Sequence, residues 1–414
     1  MPSFKFSMRI MQWIIVELLE QCRMNKNLWF LTLAQGLYLT NNVTFIAING
    51  LVGFALAPEP WLATLPVMAY VVGSALATTL VAKVQQQLGR KRSFQIALLV
   101  ALFSSLLCAF ATLEKQFWLL NLGTIIAGFY NANAQLYRFA AAELADKTAK
   151  EKAISWVLAG GILGAILGPN MASWTREWLT APFAGAYFTL AVVALIGLWV
   201  ITQIHFPEKH ANANQEPGRP LAEIMRQPLF IVCTMTAALA YGVMNLLMAA
   251  TPLAMEACQF SFDKAAWVIE WHVIGMFAPG FFTGTLIKRI GVMWVLRIGV
   301  LLNIICVAIA LSGVTFVHFL SALFLLGVGW NFLFTSSTSL ALESYRPSER
   351  DKAQGAINFF VFLATALSAL SSGVLITTQG WALLNMGSII PLTLIAIALI
   401  WLGFQRKSPK TSPL

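Results

Sequence analysis

The chain has 414 residues, of which 58% are hydrophobic and only 11% are Asp, Glu, Lys or Arg, against roughly 25% charged in ordinary soluble domains. So little charge cannot solvate the surface of two or three soluble domains, and so much apolar content excludes a disordered chain. At roughly 20 apolar residues per crossing, the composition predicts an all-α polytopic membrane protein of about twelve spans.

In chain order, residues 1–27 contain an apolar run from Ile10 to Leu19 that is too short to span and is interrupted by Gln12 and Glu17. It reads as a cytoplasmic, interfacial amphipathic segment rather than a signal peptide, or as an extension ahead of a start at Met24. Spans are then predicted near 28–55, 62–83, 93–112, 117–142, 153–174 and 182–203, numbered 1 to 6 below. Span 1 is long enough to tilt or to turn near Gly50 and Gly53. A polar linker covers 205–227, and spans 7 to 12 follow near 228–254, 265–287, 293–313, 316–342, 353–376 and 380–403. This divides the chain into helical bundles at 28–204 and 228–404, with a cytoplasmic tail at 405–414.

The net charge of +10 would suit nucleic acid, but its placement argues otherwise. With the N-terminus inside, 24 of the 27 Lys and Arg fall on one side, leaving Lys115, Arg176 and Lys264 on the other. That bias places both termini in the cytoplasm and directs the excess charge to anionic lipid headgroups, with no nucleic-acid partner. The five cysteines, mostly in apolar runs, form neither a disulfide framework nor a metal motif. Neither a phosphate-binding Gly-rich loop nor a Cys/His cluster is present, so no cofactor, metal or enzyme activity is expected.

The two halves repeat. Tyr130-Asn131 matches Trp330-Asn331, and Glu143 matches Glu343, both at an offset of 200. Tyr38-x-x-x-Asn42 matches Tyr241-x-x-x-Asn245 at 203, and Gly89 matches Gly291 at 202. Four regions agreeing within three residues predict two six-helix units in the same orientation.

On these features the chain resembles the major facilitator superfamily of secondary transporters, over nearly its whole length from about residue 28. The loop between spans 2 and 3 is similar to the second half of the family's G-x-x-x-D-R-x-G-R-[KR] motif, as Gly89-Arg90-Lys91-Arg92. The acidic position is Gln86 and the leading Gly is Ala82; the second-half counterpart, Gly284 to Gly291, has Lys288 in place of the acid. In the family that acid helps latch the inner gate, so Glu143 and Glu343 are the available substitutes, with Arg90, Arg138 and Arg346 as gate cations. Span 5 contains Gly160-Gly161-x-x-Gly164-x-x-x-Gly168-Pro169, which resembles the exporter-associated G-x-x-x-G-P motif without its terminal Gly-Gly. Small residues at this spacing let helices approach closely, and proline weakens a helix locally. Gly164, Gly168 and Pro169 are therefore candidate hinge residues, with tight packing as the alternative.

The resemblance implies that spans 1, 4, 7 and 10 line a central cavity. The repeat-related pairs Tyr38/Tyr241, Asn42/Asn245, Tyr130/Trp330 and Asn131/Asn331 lie on those spans and are the candidate substrate-binding residues. Glu270 is the only carboxylate well inside a span, and His272 follows two residues later. Intramembrane ionisable groups usually serve ion pathways, which makes these two the candidates for proton coupling. Two residues is about 200° of helix rotation, so both cannot face one cavity squarely. The expected function is proton-coupled uptake of a small organic solute across the bacterial inner membrane, by a monomer using alternating access. The aromatic lining points to a planar solute. Efflux by the same architecture and a non-transporting receptor are the alternatives.

Overall fold

The computed structural model describes residues 25–145, 150–206 and 218–407. Most of the predicted N-terminal amphipathic segment, the middle of the linker and the tail beyond 407 lie outside the described residues. Among the described residues nine helices are long and apolar enough to cross a membrane, or ten when the bent pair Phe262–Phe277 and Gly280–Ile290 is taken as one. One of the nine, Pro60–Leu113, runs for 54 residues, which at 1.5 Å per residue is about 80 Å and far exceeds one bilayer. It breaks at Gly89, where φ is +75°, so it is spans 2 and 3. Span 4 is the helix Phe117–Ala134 continued by Tyr137–Leu144. Among the described residues twelve crossings result, so Asn25 and Lys407 lie on the same side, here called the terminal side.

Lipid dictates the helices. With no water to satisfy backbone N–H and C=O groups, an apolar run must bond internally. Their ends use ordinary signals: the Asn25 side chain accepts from the Asn27 amide at 3.1 Å to start span 1, and Pro228 occupies the first turn of span 7. Gly291, between spans 8 and 9, has φ +88°. It repeats the left-handed turn at Gly89, a backbone state that costs glycine little, so the repeat seen in the sequence recurs in the backbone. Large apolar side chains such as Phe103, Trp118, Trp199, Ile390 and Phe404 are exposed around the outside, as expected for residues that meet acyl chains.

Packing follows the repeat. Span 1 packs on spans 5 and 6, as span 7 does on spans 11 and 12; spans 3 and 4 pair as spans 9 and 10 do. Between bundles, span 1 meets span 7, span 2 meets span 11, and span 5 meets span 8, a pattern that exchanges under the same pseudo-symmetry.

Span interiors differ from the expectation in places. Span 1 is one unbroken helix, Lys26–Leu56, passing straight through Gly50 and Gly53. Span 5 is interrupted at Gly160, between Lys150–Ala159 and Gly161–Thr175, while the helix continues through Pro169. Span 8 bends by 42° at Ala278-Pro279, where proline removes a helical donor.

Candidate functional site

In the first bundle, the repeat-related side chains meet near the middle of the membrane. The Tyr38 hydroxyl donates to Asn131 Oδ1 at 2.5 Å and accepts from Gln135 Nε2 at 3.1 Å. Asn131 Nδ2 donates to Ser74 Oγ at 2.8 Å, and Asn42 Nδ2 donates to the Tyr70 hydroxyl at 3.0 Å. Tyr38 meets the Tyr130 ring edge-on, with centroids 5.7 Å apart. In the second bundle Tyr241 meets Trp330 in the same way, at 5.3 Å and 83°, so the symmetry extends to ring geometry. Phe334 stacks on Trp330 at 5.1 Å and touches Tyr241 at 5.5 Å.

The two groups lie near one another across the bundles. Tyr38 lies within electrostatic reach of Tyr70, Arg138 and Tyr241, although these come from both bundles. Asn42, Gln135, Arg138, Tyr241 and Phe334 are half-buried at this level, whereas Tyr38, Tyr130, Asn131 and Trp330 are nearly fully buried behind them. The buried indole Nε1 of Trp330 and the Nε of Arg138 find no protein acceptor among the described residues.

Other predicted residues are placed elsewhere. Asn245 donates to the Thr365 carbonyl at 3.1 Å and to Ser368 Oγ at 3.0 Å, tying span 7 to span 11. Asn331 bridges the bend in span 8, donating to the Met276 carbonyl and accepting from Thr283, both at 2.7 Å. Each amide thus joins helices inside one bundle. His272 Nδ1 lies 2.7 Å from the Leu323 carbonyl, so this buried ring tethers span 8 to span 10. Glu270 points the other way, across the bundle interface, and accepts from Asn170 Nδ2 at 2.7 Å.

That bond belongs to a seam on the side opposite the termini. Ser173 donates to Asp263, Thr64 Oγ1 donates to the Ala369 carbonyl at 2.5 Å, and Phe183 packs edge-on against Phe262 at 4.8 Å. These four contacts all run between bundles, and all lie on the far half of the molecule. The bundles are therefore joined on the far side of the aromatic cluster.

On the terminal side, Arg90 grips Glu143 with Nε and Nη2 at 2.5 and 2.6 Å, clamping the turn after Gly89 to the end of span 4. Glu343 is in a short helical turn at the corresponding end of span 10, and the Arg346 amide donates to Glu349 at 2.9 Å. Glu349 is fully buried and also takes three hydrogen bonds from Arg219, each 2.8 Å, through Nε, Nη2 and the backbone N–H. Those bonds hold its carboxyl well below the usual carboxylate range. Gly164 and Gly168 seat span 5 on span 1: a Cβ on Gly164 would come within 2.5 Å of the Leu39 and Thr40 backbone, and Thr44 donates to the Gly168 carbonyl at 3.0 Å.

The sequence profile of the Major Facilitator Superfamily matches residues 28–261 and 233–414. The chain belongs to that superfamily. It is 39% identical over 363 residues to the riboflavin transporter RfnT of Brucella anthropi, covering 87% of this chain and 91% of that one. It is 28% identical over 358 residues to the uncharacterised facilitator-type transporter YddS of Bacillus subtilis, covering 82% of each. A crystal structure of a point mutant of the nucleoside transporter NupG superposes with a TM-score of 0.70 at 14% identity, covering 91% of this chain and 98% of that one. The chain is thus a multi-pass membrane transporter of a small molecule, not an enzyme.

As a facilitator fold it carries site residues that sequence reasoning missed. Tyr70, Ser74 and Phe334 sit in plain apolar runs and have no repeat partner to mark them. Asn170 was visible as an amide inside a span, but its bond to Glu270 depends on the other bundle. The Arg219–Glu349 pair joins residues 130 apart, beyond any local pattern.

Proposed function

We propose that this transporter imports riboflavin, or a closely similar flat heteroaromatic solute, by proton-coupled alternating access. The observation carrying the proposal is the 39% identity over most of a riboflavin transporter's length. The lining of the central space supports it. A flat conjugated ring complements the Tyr241–Trp330–Phe334 aromatic surface on one side and Tyr38 and Tyr130 on the other. Aromatic stacking of a ring of this kind is worth about 1–3 kcal/mol. Ring carbonyls would accept from Trp330 Nε1 and Arg138, and polyol hydroxyls would bond Asn42, Asn131 and Gln135. Asn245 and Asn331 keep the second bundle's walls in place.

The cytoplasm lies on the terminal side in this reading, and the membrane is the bacterial inner membrane. The far-side seam then closes the outer gate, and the aromatic cluster faces inward. Glu270 is the proton-coupling group: it bonds Asn170 across that seam, so its protonation state bears on whether the bundles stay joined there. His272 supports it by fixing span 8 against span 10. Arg90 with Glu143, and Arg346 near Glu343, brace the inner ends through the cycle, and the protein works as a monomer.

The test is growth. A bacterial strain unable to synthesise riboflavin and lacking its own importer should grow on low micromolar riboflavin only when this chain is expressed. A strain that expresses the protein in its membrane and still needs high riboflavin would refute the substrate reading.

A further inference from the structure

A cavity of about 440 Å³ sits above the far-side seam, away from the central aromatic cluster. Its walls include Arg176, Phe183, Glu256, Gln259, Phe260 and Phe262, drawn from both bundles. We propose that this cavity is a second solute site, at the outer mouth, that takes the same flat, hydrogen-bonding ring before the outer gate opens. The inference rests on the riboflavin reading for its occupant, and on the following geometry for its existence.

Arg176 is one of only three cations assigned to the outer side by charge bias. It makes no ion pair among the described residues, and its buried Nε has no acceptor there. Its guanidinium lies over the Phe183 ring at 5.3 Å and the Phe262 ring at 6.0 Å, which holds a planar donor group against that edge-on pair. Glu256 lines the same cavity and is exposed, with no ion pair to Arg176. An unneutralised donor fork and an unneutralised acceptor thus share one cavity. A ring edge that carries carbonyl acceptors beside an N–H donor satisfies both.

The backbone points the same way. Phe183 and Gln259 have φ of +66° and +61°, and both line the cavity. Gln259 follows the end of span 7, and the next amide, of Phe260, returns to the Met255 carbonyl at 2.9 Å. That is the helix ending in which glycine is the unstrained choice. A glutamine here accepts strain of a kind that concentrates at binding sites, and it adds an amide to the cavity wall.

Equilibrium binding of tritiated riboflavin to the purified full-length protein tests the proposal, using the unsubstituted chain, R176Q, W330A and the double variant. The expected result is two classes of site in the unsubstituted chain. R176Q weakens one class at least tenfold, W330A weakens the other, and the double variant loses both. Gln259→Gly guards against misfolding, because it removes the side chain while relieving the left-handed backbone. It should weaken the same class as R176Q without lowering the melting temperature. If riboflavin binds in one class that W330A abolishes and neither R176Q nor Gln259→Gly alters, the outer site is refuted and the transport reading stands. If the unsubstituted chain binds no riboflavin, the substrate reading falls and this site's occupant falls with it.

Discussion

Replacing Trp330 with leucine separates a solute-stacking surface from ordinary packing. Trp330 lies parallel to Phe334 within 9°, with centroids 5.1 Å apart, and meets Tyr241 edge-on at 5.3 Å. Each aromatic pair is worth about 0.5–1.5 kcal/mol beyond its buried area, so the loss of two destabilises the second bundle by about 1–3 kcal/mol. Leucine remains apolar but is smaller, so a cavity term adds to that loss. If the solute ring stacks on this surface, a further ~1–3 kcal/mol of binding is lost, which raises KM about 5- to 150-fold. Initial rates of radiolabelled riboflavin uptake, read beside thermal unfolding of the purified variant, distinguish the two losses. Trp330→Phe provides the control: it keeps a ring but removes the unpartnered Nε1 donor, and should fall between the other two proteins. A lowered melting temperature with unchanged KM in Trp330→Leu would refute the stacking argument.

Tyr38→Phe leaves Asn131 Oδ1 with only its 3.5 Å contact to Asn42, at a cost of about 1–3 kcal/mol for a buried acceptor; thermal unfolding and uptake KM should both worsen. Gly164→Val drives a side chain into the Leu39–Thr40 backbone and should cost about 1–3 kcal/mol or more in overpacking. Gly284→Ala, inside the helix Gly280–Ile290 with nothing within 4 Å of the added carbon, should keep the yield and raise the unfolding temperature slightly. Glu270→Gln keeps an acceptor for Asn170 but cannot exchange a proton, so gradient-driven accumulation should collapse to equilibration while counterflow persists; unchanged accumulation would remove Glu270 from the coupling role, as it would His272 for His272→Ala. The Glu349 carboxyl is held below its ordinary value by Arg219, so its contribution to stability is present above the unfolded value near ~4.3 and lost as pH falls through the folded one. An unfolding midpoint that declines from about pH 5 downward, with a smaller decline in Arg219→Gln, is the expected outcome.

Much of the fold was legible because lipid makes composition decisive: apolar runs of spanning length and the Lys and Arg bias identify a polytopic protein without any tertiary information. The repeat was legible for a related reason. Gly89 and Gly291 adopt the same left-handed turn, and Tyr38–Tyr130 and Tyr241–Trp330 make the same edge-on contact. What the sequence did not resolve is the direction in which a polar side chain points. Asn42 and Asn245 are repeat partners, yet one faces Tyr70 and the cavity level while the other joins span 7 to span 11. Helical rotation predicted that Glu270 and His272 diverge, but the identities of Asn170 and Leu323 as their partners depend on packing between distant segments. The breaks at Gly160 and at Gln135 were not predicted either, since each lies inside a stretch long enough to read as one span.

The most direct test of the transport claim is riboflavin flux into proteoliposomes that contain only the purified chain. Saturable uptake that accumulates riboflavin against its gradient when the lumen is alkaline, and only equilibrates when the pH difference is dissipated, is the predicted result. Flux indistinguishable from protein-free liposomes, with protein shown to be folded and inserted, would contradict it.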